Sequence, residues 1–111
     1  TILYRRIWDI ESRRTGWKRI SHAVLPPGTS IGYHQHNSDE EIYYIMDGTG
    51  RITVNDVTWD VRKGDALPCR LGESHGLYNN SDDIMEIFIC RVVANPDGRG
   101  VVEFGDDLTD R

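Results

Sequence analysis

His34 and His36 stand two residues apart and are followed by Glu41, while a third histidine, His75, comes from a distant part of the chain. Alternate side chains of a β-strand share a face, so His34 and His36 project together and Gln35 projects away. Their Cα atoms would lie roughly 7 Å apart, close enough for both imidazoles to reach one ion. Imidazole nitrogens combined with a carboxylate oxygen suit zinc, iron, manganese, nickel or copper. The expectation is one divalent transition metal held by His34, His36, Glu41 and His75.

Strands and turns must carry these residues. Residues 17–25 alternate Ile20, His22 and Val24 with Arg19, Ser21 and Ala23, and Pro26–Pro27–Gly28 then forces a turn. Residues 30–36 form the first ligand strand. Asn37, Ser38 and Asp39 read as a polar loop, after which residues 41–46 resume as a strand. Asp47–Gly48–Thr49–Gly50 supplies glycines for positive φ. Residues 51–54 and 57–61 flank Asn55–Asp56, a two-residue hairpin turn. Further strands are expected at 66–68, 74–78 and 84–93. Residues 2–10 read as an edge strand or arm, and Gly16 breaks it from the strand at 17–25. From Asn95 the chain turns polar and ends acidic, which reads as a surface extension. No long helical period and no internal repeat is present. Many short strands with regular turn signals imply an all-β sandwich or barrel with little helix. At 111 residues the chain is expected to be one domain, with a core spanning about 17–94.

The spacing Gly28–x5–His34–x–His36–x4–Glu41–x6–Gly48 resembles the first motif of the cupins, and Gly64–x7–Gly72–x2–His75–x3–Asn79 resembles their second. The resemblance spans residues 28–79. It implies a jelly-roll barrel, the double-stranded β-helix, with the metal inside on inward-facing ligands. One departure stands out. The family usually has a proline two residues before the second-motif glycine, where this chain has Arg70, and Pro68 lies two residues earlier.

Several residues carry alternatives. Adjacent strand residues face opposite sides, and the six-residue gap to Gly48 selects Glu41 over Glu40, leaving Glu40 to solvent. Tyr43 shares the Glu41 face; it is core packing or a hydroxyl that orients a ligand. Arg70 is a carboxylate clamp beside His75, or a surface residue paired with an acid. Of the two readings, a guanidinium clamp would give two parallel hydrogen bonds. His22 matches no ligand position and reads as a supporting or surface histidine. Asn79 sits in the turn-rich Asn79–Asn80–Ser81–Asp82 and reads as structural. Cys69 and Cys90 are too few for a disulfide scaffold, lack a C-x-x-C pairing, and read as free thiols, with Cys69 facing the cavity as the sharper alternative. Trp59 shares a face with Val57 and Val61, a core or dimer-interface pattern, and Trp8 and Trp17 suit a subunit interface.

Composition excludes some classes. The net charge is −5 with no basic run longer than Arg13–Arg14, so nucleic acid is not an expected partner. No apolar run approaches the roughly 18 residues of a membrane helix, and no signal-peptide pattern is visible, so cytoplasm is the expected compartment. Sheet edges need covering, which leads to a homodimer. Three histidines and a glutamate leave open positions on a six-coordinate ion, the mark of a reactive site. The resemblance therefore implies a small metal-dependent enzyme of dioxygenase, isomerase or lyase type acting on a polar or anionic small molecule. The alternative is a non-catalytic cupin that uses the ion to bind or sense one. Fold does not choose between them.

Overall fold

The computed structural model describes residues 1–8, 17–94 and 100–111, without the side chains of Trp8 and Trp17. The expected break at Gly16 and the interface roles of Trp8 and Trp17 lie outside the described residues. Within them the chain is all-β: β1 Leu3–Trp8, β2 Trp17–Leu25, β3 Ser30–His36, β4 Asp39–Asp47, β5 Thr49–Val54, β6 Val57–Arg62, β7 Ala66–Cys69, β8 Ser74–Tyr78, β9 Met85–Val93 and β10 Val101–Asp106. They form two five-stranded sheets, β1-β2-β9-β4-β7 and β10-β3-β8-β5-β6, paired antiparallel throughout. This is a double-stranded β-helix.

Turn chemistry sets the corners. Asn55 and Asp56 adopt φ of 47° and 66°, the left-handed pair that a tight hairpin requires. The four motif glycines, Gly28, Gly48, Gly64 and Gly72, all have positive φ. Gly48 is needed twice over, since a Cβ there would sit 2.7 Å from the Ile84 carbonyl oxygen.

The inward rows change character along their length, and this is what places the site. On β4, Asp39, Glu41, Tyr43 and Ile45 are all buried while their alternates are exposed. On β9 the inward row runs Met85, Ile87, Ile89 and then Arg91. The apolar ends meet Leu25, Ile52, Val61, Leu67 and Leu77 in one core. The polar ends gather at the other end of the barrel.

Two expectations differ from what is observed. Asp39 belongs to β4 and is fully buried; besides nearby His36, its partners Arg91 and Lys18 come from distant strands, so the local Asn-Ser-Asp pattern misleads. The expected polar extension beyond Asn95 contains β10, paired with the ligand strand β3. Past that strand Leu108 is only 2 % exposed. Trp59, expected in the core or at a dimer interface, faces the same side as Ile52, its register partner, and is half exposed, because β6 is a sheet edge with no further strand beside it among the described residues.

Candidate metal centre

β3 and β8 bring three histidines to one point. His34 and His75 are register partners across the antiparallel pair, and His36 follows His34 on the same inward face, as strand parity requires. A register irregularity between Ile31 and His34 lets Ile31 line the same cavity as His34 despite their odd separation. Glu41 arrives from the opposite sheet on β4.

The donor atoms converge. His34 Nε2 lies 2.9 Å from His36 Nε2 and 3.1 Å from His75 Nε2, and the His36–His75 pair is 3.2 Å apart. Glu41 Oε1 lies 2.9 Å from His75 Nε2, 3.0 Å from His36 Nε2 and 3.9 Å from His34 Nε2. All four residues are buried.

The outward nitrogens fix how these rings present themselves. His34 Nδ1 donates to the Gly32 carbonyl oxygen at 2.6 Å, and His36 Nδ1 donates to Asp39 Oδ1 at 2.6 Å. With those protons on Nδ1, each of these rings in its neutral, metal-binding form turns its Nε2 lone pair inward. Lone pairs roughly 3 Å apart repel unless a cation lies between them, and imidazole ligands at roughly 2.1 Å from an ion have about this mutual spacing. The donor set therefore fits a divalent transition metal. His75 Nδ1 is buried without a hydrogen-bond partner among the described residues, and its ring stacks on Tyr43 with centroids 4.6 Å apart.

A charged layer stands behind the ligands. Fully buried Asp39 accepts hydrogen bonds from His36, from Arg91 Nε at 2.9 Å and from Arg91 Nη2 at 2.6 Å, and Lys18 Nζ lies 3.3 Å away. Arg91 also approaches Glu41 at 3.7 Å. Burial works to raise the Asp39 carboxyl, but its bond to His36 and the Arg91 charge prevail and hold it at about 2. Burial likewise disfavours charge on His36, yet the hydrogen bonds to Asp39 and Glu41 outweigh it and lift the imidazole to about 9. Burial would also raise Glu41, but its interactions with His34, His36 and His75 outweigh this and keep its carboxyl well below the usual range. Desolvation lowers His75. Without an ion, His36 thus carries a proton at neutral pH.

The four candidate ligands come together; the other candidates divide. Tyr43 lines the cavity at 1 % exposure, and burial beside the Glu41 charge pushes its phenol well above the usual range. It stays neutral and can orient but not readily ionise. Arg70 lies outside the cavity, its side chain 72 % exposed and 3.9 Å from Glu73, so the surface alternative describes its position. The 68–74 loop directs it outward because the inward side of that strand end is taken by Cys69. The Cys69 thiol is buried against the Glu73 carbonyl oxygen, and burial with nearby carboxylates pushes it up to about 12. His22 pairs with Glu86 at 3.4 Å, away from the cluster. Glu40 is exposed and accepts the Leu71 amide. Asn79 is structural: its side-chain amide donates to the Leu25 and Asp83 carbonyls, and its oxygen accepts from Ser81.

A cavity of about 420 Å³ opens over the cluster, with Tyr4, Arg6, Arg19, Arg91 and Glu103 on its walls. The sequence reading missed these wall residues and Asp39. Strand parity was available for Arg19 and Arg91, each the charged member of an inward row, whereas Arg6 and Glu103 depend on how the terminal strands dock.

Comparison with known proteins agrees with this geometry. A family model described as Cupin domain matches residues 21–91. An uncharacterized protein of Methanocaldococcus jannaschii is 31% identical over 71 residues, covering 64% of this chain and 57% of its own. An oxalate-binding protein of Thermotoga maritima is 39% identical over 62 residues, covering 56% of this chain and 51% of its own. The match thus spans little more than half the length of these curated relatives. Among solved structures, a predicted oxalate decarboxylase from Thermotoga maritima superposes with a TM-score of 0.81 at 27% identity, covering 84% of this chain and 81% of that one.

Proposed function

The chain belongs to the cupin domain family, and from that premise we propose that it is a metal-dependent enzyme acting on a small anionic molecule. The observation that carries this reading is the convergence of three imidazole nitrogens and the Glu41 oxygen on the floor of an arginine-walled cavity, with separations of 2.9 to 3.2 Å and a single longer edge of 3.9 Å. His34, His36, Glu41 and His75 hold the ion. When bound, such an ion polarises a coordinated carbonyl or carboxylate, or activates dioxygen if it is redox-active. Asp39 fixes the His36 ring, Tyr43 packs against His75, and Arg91 steadies Asp39 and Glu41. The names of the two Thermotoga maritima relatives make small carboxylates the first substrates to test, and lyase (decarboxylase) chemistry the first reaction.

A second reading, a binding cupin without turnover, is favoured by the oxalate-binding relative. One experiment separates the two. Protein loaded separately with manganese, iron, zinc, nickel or copper is incubated with small carboxylates while carbon dioxide release and oxygen uptake are followed. Turnover abolished by Glu41→Gln supports the enzyme; saturable binding with no turnover under any metal supports the binding protein.

We also propose a homodimer formed through the outer face of the β1-β2-β9-β4-β7 sheet. Leu3, Ile7, Ile42, Tyr44, Met46 and Val92 are exposed there. Five strands at about 4.8 Å spacing and about 20 Å of strand length give roughly 480 Å² per copy, near the roughly 1,000 Å² total that a specific interface needs. Unpaired Cys69 and Cys90 suit the reducing cytoplasm proposed as its compartment. No helix among the described residues is long and apolar enough to cross a membrane.

A further inference from the structure

We propose that Arg6 and Arg19 bind a second anionic group of the ligand, so that the cavity selects dicarboxylates whose two carboxylates are several bonds apart. This rests on the metal-binding reading above, with one carboxylate at the ion and the other at the arginine wall.

Register places the wall. Glu41 on β4, Arg91 on β9 and Arg19 on β2 are successive Cα partners across three neighbouring strands. Arg6 on β1 partners Ser21, one inward row further along. All of these residues line the same cavity. Arg91 is committed to Asp39 and Glu41, so it supports the ligand cluster. Arg19 and Arg6 stand one and two strands beyond it.

Charge and length point the same way. The whole chain carries −5, which repels anions at a distance, yet three guanidinium groups are concentrated on this cavity. Arg19 and Arg91 are directly opposed across adjacent strands, which puts both guanidinium-bearing side chains on one wall of the cavity. Glu103 on β10, the partner of His34, stands on the other wall and turns an anionic group toward the arginines. Two strand spacings separate Arg19 from Glu41, roughly 10 Å between Cα atoms. Oxalate, whose carboxylates are directly bonded, is too short to engage both ends of that span; an acid of four or five carbons bridges it. The cavity volume, near the lower end of ordinary ligand sites, excludes much larger molecules.

The test uses the full chain loaded with zinc and titrated calorimetrically with oxalate, succinate and glutarate. Zinc affinity is measured first on every variant and is expected to be unchanged by Arg6→Gln, Arg19→Gln or Glu103→Gln. Succinate or glutarate should bind more tightly than oxalate. Each arginine substitution should weaken the longer acids roughly ten- to a hundredfold and oxalate far less, while Glu103→Gln should strengthen them. Arg19→Lys, which keeps the charge but not the planar fork, should restore part of the loss and serves as a folding control. Wild-type affinity for the longer acids in both arginine variants, equal losses for oxalate, or no binding of any acid would overturn the assignment. Failure of the wild-type protein to bind zinc would instead overturn the metal reading, and the same titrations without zinc then judge the arginine wall alone.

Discussion

Metal binding should expel one proton, and that proton should come from His36. Without an ion the His36 imidazole is held at about 9 by its hydrogen bonds to Asp39 and Glu41, against the effect of burial, whereas an imidazole must be deprotonated at Nε2 to coordinate. At pH 7 the ring is therefore about 99 % protonated, and zinc affinity should lie roughly a hundredfold below its plateau above pH 9. Between pH 7 and 9 the logarithm of affinity should rise with a slope close to one. Competition with a chromophoric chelator gives the affinity, and calorimetry in buffers of different ionisation enthalpy counts the proton. Asp39→Asn removes one of the two supports for the His36 charge, so the plateau should begin at lower pH. The raised imidazole also contributes stability to the metal-free protein, fully present below about 6.5 and lost as pH rises through about 9. A zinc affinity flat from pH 7 to 10, with no proton released at pH 7, would refute the reasoning.

At the acid end, Asp39, held at about 2, should contribute stability present above about 3.9 and lost as pH falls through about 2; acid titration of Asp39→Asn against wild type, followed by circular dichroism, should show a smaller loss over that window. Asn79→Ala strands the Leu25 carbonyl and removes one of the two donors to the Asp83 carbonyl, which keeps the Ser81 hydroxyl; it should cost about 1 to 3 kcal/mol in urea unfolding with zinc stoichiometry unchanged. Gly76→Ala sets a Cβ 2.7 Å from Leu108 Cδ1 and 3.0 Å from the Ile31 carbonyl oxygen; a loss of about 1 to 3 kcal/mol is expected by the same assay. Tyr44→Glu on the outer sheet face should convert a dimer to a monomer in sedimentation at micromolar concentration without loss of zinc, and an unchanged sedimentation coefficient would remove that face from the interface.

The histidine pair was legible because strand parity is local: two histidines at i and i+2 must share a face, whereas parity only sets Glu40 and Glu41 on opposite faces and the motif's six-residue gap to Gly48 chose Glu41. His75 was legible only through the resemblance of its flanking glycines to a known motif. Asp39 was not legible, since its burial depends on Arg91, fifty-two residues away, and its neighbours have turn chemistry. β10 was hidden for a different reason. Val101 to Gly105 are all exposed, as an edge strand permits, so no alternation marks it; Leu108 is buried only because Gly76 leaves room for it. The outward placement of Arg70 depends on loop backbone shape, which residue types alone do not fix.

The central claim is tested most directly by counting zinc bound per chain after stripping with chelator and reloading, in wild type and in His36→Ala and His75→Ala. The account predicts one ion per chain in wild type, with binding lost or severely weakened in both variants while circular dichroism reports intact sheets. A stripped wild-type protein that takes up no zinc, manganese, iron, nickel or copper, or one whose uptake survives both substitutions, would contradict it.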